Sequence, residues 1–220
     1  MVEAVDIVQR RGPETREAIN RAAVRLFAEL GYHATSMRTL AAAAEVQPAA
    51  IYHWYPSKEA ILVHLQDEFM DELTARVIAA MDEQEGPVLE LAAAVREHVV
   101  YHGLKTSEAF VTDSEIRALD PEPRRALIAR RDAYQRMFGD LIDAGIREGS
   151  LRSSDARVAT YAIILQCTGV ALWFDPAGPL PIEEVAAVHV ELVLGSLGAS
   201  PELIASARDA VASSRAGRGG

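Results

Sequence analysis

Apolar side chains recur at every third or fourth position along most of this chain, and proline, glycine and short polar runs cut that pattern into pieces of helical length. Met1 to Gly12 lacks the period and reads as an arm. Pro13 or Glu14 opens a first helix in which Ile19, Ala22, Ala23, Leu26 and Phe27 share a face, and Gly31 falls where a left-handed C-cap is expected. Thr35 and Ser36 supply hydroxyl caps for a short helix with Met37, Leu40, Ala41 and Ala44 on one side. Glu45-Val46-Gln47 interrupts the period, and Pro48 suits the first position of another short helix, which runs to Trp54 and is stopped by Pro56. Two helices joined by so few residues form a helix-turn-helix, whose second helix can enter the major groove of DNA.

Beyond Pro56 the helices lengthen. Ser57 can cap one that keeps its spacing from Ile61 through Leu65, Phe69, Leu73 and Val77 to Asp82, a rod roughly 36 Å long at 1.5 Å per residue. Gly86-Pro87 breaks the pattern before a helix from Val88 to Gly103, and a shorter, more polar segment covers Lys105 to Leu119. Pro121 and Pro123 fall in the first turn of a long helix that reaches Gly149. Ser153 or Ser154 caps a segment apolar from Val158 to Phe174, which reads as buried on several sides. A proline-rich loop over 175–181 then leads into a helix from Ile182 to Leu197, followed by one weak helix and an Arg-Gly tail.

No segment alternates as a strand does, so the expected fold is all-α: an N-terminal three-helix helix-turn-helix head and a C-terminal helical body for ligand binding and dimerisation. The expected boundaries are 13–59 for the head (about 13–73 with the start of the connecting helix), 60–200 for the body and 201–220 for the weak helix and tail. One chain cannot easily cover both of its last two long apolar helices, which points to a two-fold homodimer formed through them.

Charge changes the picture in one respect. The formal charge is −10, yet Met1 to Glu59 holds seven Lys/Arg and seven Asp/Glu, so the whole acidic excess lies outside the helix-turn-helix. A neutral head with Arg10, Arg11, Arg16, Arg38 and Lys58 can still meet phosphates, while an acidic body discourages non-specific wrapping. No apolar run approaches the roughly 18 residues of a membrane span, and the N-terminus does not read as a secretion signal. No membrane association and a cytoplasmic location are therefore expected. Cys167 is the only cysteine and, among apolar neighbours, reads as a core thiol.

The stretch AVRLFAELGYHATSMRTLAAAAEVQPAAIYHWYPSKEAI resembles the DNA-binding domain of TetR-family transcriptional regulators. The resemblance rests on Phe27, Glu29 and Gly31, on Thr35 or Ser36, on Ala42 to Ala44, on the aromatic run Tyr52 to Tyr55, and on Lys58. It implies Tyr52, His53 and Lys58 as contacts to the DNA backbone. Further on, ALWFDPAGPLPIEEVAAVHVELVLGSLG is similar to the end of a branch of repressors of lipid and steroid catabolism, whose effectors are often acyl-CoA thioesters. Members of that branch commonly carry basic residues near the tryptophan, where this chain has Leu172 and Asp175.

The expected DNA-binding residues are Thr35, Ser36, Arg38, Gln47, Ala49, Tyr52, His53 and Lys58. A phenol and an imidazole can donate to phosphate oxygens, and Arg38 can reach a guanine edge. The competing reading packs Tyr52 or Trp54 inside the head and leaves Arg38 solvated. Ala49 and Ala50 can touch a thymine methyl but donate nothing, which leaves Gln47 as the nearest polar reader and assigns much of the affinity to phosphates and DNA shape. In the body, His98, Tyr101, His102, Phe110, Tyr134, Phe138, Gln166 and Trp173 mix aromatic and polar character as a small-molecule pocket does, although most can equally be core. His98 and His102 have a metal-ligand spacing without a third ligand, so neither a metal nor another cofactor is expected. With no nucleophile elbow, phosphate loop or dinucleotide fingerprint, an enzyme is the poorest reading. A helical adaptor for a protein partner would fit the body and leave the head unexplained. The expectation is a homodimeric repressor that holds a pseudo-palindromic operator and is released by a small, largely apolar effector.

Overall fold

A computed structural model describes the backbone of residues 3–216 and the side chains of residues 12–212. Ten α-helices and no strand are found among the described residues. Arg10 and Arg11, expected to approach phosphates, and the end of the Arg-Gly tail lie outside the described side chains.

The first compact unit comprises Met1–Phe69 and Ser107–Leu127. Helix α1 spans Glu3–Leu30, so the helix begins well before the expected start and carries Pro13 within it. A single proline removes one ladder hydrogen bond, and the residues before it are ordinary helix formers. Ile19, Ala22, Ala23, Leu26 and Phe27 are buried along one face of α1, and Gly31 closes it at φ +83°. Helix α2 covers Met37–Ala43 and α3 covers Pro48–Trp54. The turn between them is a Schellman motif: Val46 N–H donates to the Ala41 carbonyl (3.0 Å) and Glu45 N–H to that of Ala42 (3.2 Å). Glu45 takes the left-handed conformation at φ 57°, a position usually given to glycine.

Helix α4 runs Lys58–Met81, its first turn capped by Ser57 Oγ accepting from Ala60 N–H at 3.1 Å. Helix α6 (Thr106–Ser114) from Ser107 onward, the 3-10 turn at Glu115–Ala118 and the start of α7 (Pro121–Arg147) belong to the first unit, where Glu115 accepts from Tyr32 N–H at 3.3 Å and Glu59 accepts from Asp120 N–H at 2.6 Å.

The second unit comprises Met70–Thr106 and Ile128–Gly220. Its centre is α5 (Pro87–Leu104), buried from Leu91 to Val95 and again from His98 to Gly103, which packs chiefly on α9 (Ile182–Ser196) and also on α8 (Ala156–Thr168) and α10 (Pro201–Ala216). A side chain at Gly103 would overlap Ile182, so glycine is what lets α5 and α9 approach. Two expectations need correction. Asp155, not Ser153 or Ser154, caps α8, its carboxylate accepting from Arg157 and Val158 N–H at 3.0 and 3.1 Å. The segment from Val158 to Phe174 is not buried on several sides, because Val158, Tyr161, Leu165, Leu172 and Trp173 all face outward, Leu165 and Leu172 at 74% exposure.

Candidate nucleic-acid interface and the buried body cluster

On α3 only Ile51 is buried; Gln47, Ala49, Tyr52 and His53 are exposed, Tyr52 at 56%. Ile51 packs inward because it stands where the helical period of the core continues, and this turns Tyr52 and His53 outward on the next two positions. Ser36 and Arg38 at the start of α2 are exposed as well. Ser36 also serves structure, its Oγ accepting from Thr39 N–H at 3.1 Å. These residues are the exposed polar and aromatic side chains of the two short helices. Trp54 is half-buried with the Arg16 guanidinium 5.9 Å above its ring, and Tyr55 is buried, donating its hydroxyl to Asn20 Oδ1 at 2.7 Å. The aromatic run thus divides: Tyr52 and His53 face solvent, Tyr55 anchors α3 on α1.

Two expected contacts stand differently. Thr35 is 1% exposed, and its hydroxyl donates to the Gly31 carbonyl at 3.0 Å, so it fixes the loop after α1 and presents nothing to a ligand. Lys58 sends its ammonium to the carbonyls of Tyr32 and Thr35, both at 2.7 Å, and lies 4.1 Å from the Tyr32 ring centre. Two of its three donors are spent on that loop. Burial pushes its pKa down, against the opposing pull of the Glu115 carboxylate. Lys58 is therefore a clamp between the α1–α2 loop and the start of α4. Sequence offers no sign of this, because the partners are carbonyls.

In the body, five of the eight pocket candidates come together and three do not. His98 lies at the centre, Nδ1 bonded to the Tyr134 hydroxyl (2.8 Å) and Nε2 to Thr168 Oγ1 (3.1 Å). The His102 ring stacks on it at 4.1 Å with the planes 8° apart, its Nδ1 bonded to the His98 carbonyl at 2.9 Å. Phe138 meets His98 edge-on, and Tyr101 meets His102 edge-on while donating to Glu72 at 3.0 Å. Phe110, Gln166 and Trp173 are exposed instead. Gln166 lies on the outward face of α8, Trp173 is exposed just after the 3-10 turn at Gly169–Leu172, and Phe110 points away from the buried side of α6, which carries Ala109, Val111 and Thr112.

Burial lowers the pKa of His98 well below its ordinary 6.5, with His102 and then His189 adding to the effect, and lowers that of His102 to about 4. Both rings are held neutral near pH 7, and burial also pushes the Cys167 thiol up to about 12. No group of three or more His, Cys, Asp or Glu suited to a metal is found among the described residues. A separate cavity of about 450 Å³ opens against α4, α5 and α10, walled by alanines and by Arg76, Arg96 and Glu97; none of the eight candidates lines it. No described helix is long and apolar enough to cross a membrane.

A tight helix-turn-helix with an exposed second helix, joined in sequence to a helical body, defines a DNA-binding regulator and not an enzyme. The chain belongs to the TetR family of bacterial transcriptional regulators: residues 19–65 match the family's bacterial regulatory protein domain and residues 84–197 its tetracyclin repressor-like C-terminal domain. It is similar to the HTH-type transcriptional repressor KstR2 of Mycobacterium tuberculosis, with 31% identity over 180 residues, 80% of this chain and 88% of the relative. Among solved structures it is similar to a tetR-family regulatory protein from Rhodococcus RHA1 (TM-score 0.79, 29% identity, 84% of this chain and 98% of that one). It is also similar to AibR in complex with isovaleryl coenzyme A and operator DNA (TM-score 0.74, 26% identity, 81% and 97%).

Proposed function

We propose that this regulator is a cytoplasmic homodimeric repressor that holds a pseudo-palindromic operator and is released by a small, largely apolar effector, an acyl-CoA or a related lipid metabolite. The observation that carries the DNA part is the outward face of α3, where Tyr52 and His53 stand beside Gln47 and Ala49 with Ser36 and Arg38 close by in sequence on α2. Tyr52 and His53 would bond phosphate oxygens and Arg38 a base edge. Lys58 would direct its remaining donor to a phosphate while its other two keep the loop in place. Thr35 would act only through that loop.

The dimer reading is supported by the outward apolar side chains of α8 and α9, Val158, Tyr161, Leu165, Val188 and Leu192, which a second copy would cover. Two reading helices would then lie about one DNA turn apart, roughly 34 to 36 Å. The effector class is supported by the likeness to the structure of a ketosteroid transcriptional regulator, KstR2 of Mycobacterium tuberculosis, and to a structure holding isovaleryl coenzyme A. In the body the effector would meet residues of the His98, Tyr101, His102, Tyr134 and Phe138 cluster. A hundredfold release requires about 2.7 kcal/mol of differential binding between the two states.

The test is fluorescence anisotropy on DNA from upstream of the protein's own coding region, repeated over a salt series and with an acyl-CoA panel. A salt-sensitive complex that an acyl-CoA dissolves is expected. Absence of binding at low salt would reject the repressor reading.

A further inference from the structure

The cavity of about 450 Å³ lies wholly within the second unit, and the side chains along its helices explain why there is space. Ala75 and Ala79 are four apart on α4, and Ala93, Glu97 and Val100 are three or four apart on α5, so each helix turns one face to the cavity and its alanines leave room. Longer side chains join the two helices: Arg76 Nε donates to Glu97 Oε1 at 2.6 Å, and the Tyr101 hydroxyl donates to Glu72. Arg76 also stands 3.7 Å from Glu72, so two carboxylates surround that one guanidinium. Arg96 is matched less well. Its side chain is 14% exposed, and among the described residues it has an ionic approach of 3.7 Å to Glu97 Oε2 and no hydrogen bond. A guanidinium carries five N–H donors, and one so nearly enclosed is ordinarily bonded.

We propose that this cavity is a small-molecule site separate from the His98 cluster, and that its ligand is a monocarboxylate with a narrow apolar body. The Arg96 guanidinium takes the carboxylate in its fork, and the alanines with Val100 and Val211 hold the body. The volume lies in the range of ligand sites, roughly 300–1,000 Å³. A planar guanidinium matches two N–H donors to the two oxygens of a carboxylate, which a neutral amide or an alcohol cannot reproduce. A single negative charge suits the surroundings, because Glu83 and Glu97 also line the cavity and would repel a dianion such as a phosphate monoester. The site goes beyond the repressor reading and does not rest on it.

The test is isothermal titration calorimetry on the full chain without DNA, with octanoate, octanamide and acetate as probes and wild type, Arg96→Gln and Ala79→Leu as proteins. Octanamide keeps the chain and lacks the charge; acetate keeps the charge and lacks the chain. Wild type should bind octanoate at least about tenfold more tightly than either. Arg96→Gln should lose about tenfold or more in octanoate affinity, the worth of hydrogen bonds to a charged group. Ala79 is exposed, so Ala79→Leu should fold even if Arg96→Gln does not, and its added bulk in the cavity should also weaken octanoate by about tenfold. No binding of octanoate by wild type, or equal binding of octanamide, would overturn the proposal. Octanoate affinity unchanged in Arg96→Gln or in Ala79→Leu would overturn it also, by placing the carboxylate elsewhere. Because no DNA is present, none of these outcomes bears on the repressor reading, which keeps its own test.

Discussion

His53 and His98 are the same side chain put to opposite uses. His53 stands on α3 with its imidazole in water, next to Tyr52; His98 is sealed in α5 with both ring nitrogens bonded and another imidazole stacked on its face. The regions around them differ in the same sense. On the two short helices the side chains outside are polar or amphipathic and those inside are apolar. In the body part of the order is reversed: histidines, a tyrosine hydroxyl and a threonine are inside, while Leu165, Leu172, Val188 and Leu192 are outside. The first arrangement is complete in a single chain and offers hydrogen bonds to a polar partner. The second leaves aliphatic surface that only an apolar partner can use, which is why the body, more than the head, argues for a second copy.

A charge placed where the body is apolar outside should have the largest effect. Leu165→Glu should cost little in the isolated chain, because Leu165 is already exposed. In the proposed dimer it would bury an unpaired carboxylate. Sedimentation should report a monomer, and operator affinity should fall roughly a thousandfold, about 4 kcal/mol, since each half-site would be held singly. A Leu165→Glu protein that still sediments as a dimer would mean that the outward face of α8 has another use.

Much of this was legible in the sequence, and what was not follows a pattern. Helices α2, α3, α4 and α5 fall within a residue or so of their expected bounds, because prolines at 48, 56 and 87 and the cap at Ser36 act locally. Tyr52 and His53 could be placed outside because the buried period passes through Ile51. The roles of Thr35 and Lys58 were hidden, since each bonds backbone carbonyls brought near by the loop after α1 and no residue type marks them. Phe110, Gln166 and Trp173 look like pocket residues by composition; only the direction in which α6, α8 and the turn after it present them separates them from His98 and Tyr134. Gln66 is the reverse case. Its apolar neighbours defined α4, and a lone glutamine among them carries no signal until its burial, at 1% exposure, is known.

Acid should separate the two regions next. The folded pKa of His102 is about 4 and that of His98 is well below 6.5, so below 6.5 the unfolded chain takes up protons that the folded chain refuses. Stability is therefore fully present above pH 6.5 and is lost as pH falls from there toward 4. For His102 alone the loss is on the order of 3 kcal/mol, with Arg131 and the His98 carbonyl facing it and His189 facing His98. Urea unfolding at pH 7, 6 and 5 measures it. His98→Gln and His102→Gln together should flatten the pH dependence; an unchanged pH dependence would place the acid-sensitive group elsewhere.

Lys58 comes third. Lys58→Met keeps most of the stem and removes two hydrogen bonds to carbonyls, so a loss of about 2 kcal/mol and a melting temperature lower by roughly 4 to 8 °C are expected. Operator affinity should weaken evenly across sequences, and the salt slope should drop by about one if the third donor reaches a phosphate. A drop in melting temperature with no change in slope would make Lys58 a clamp and nothing more.

The smallest effects should come from the exposed face of α3. Tyr52→Phe removes one hydroxyl and His53→Ala one exposed imidazole that meets the half-buried Trp54 ring edge-on at 5.3 Å, so each should change the melting temperature by little. Each should weaken operator binding by about tenfold, the lower end of what one hydrogen bond to a charged phosphate is worth. The loss should be the same for any operator sequence, because a phosphate contact carries no base identity. Arg38→Ala provides the contrast within the same surface: a contact to a guanine edge should cost more on the native operator than on one with that base pair changed. If Tyr52→Phe proves sequence-selective and Arg38→Ala does not, the two have exchanged roles, and base reading belongs to the aromatic helix.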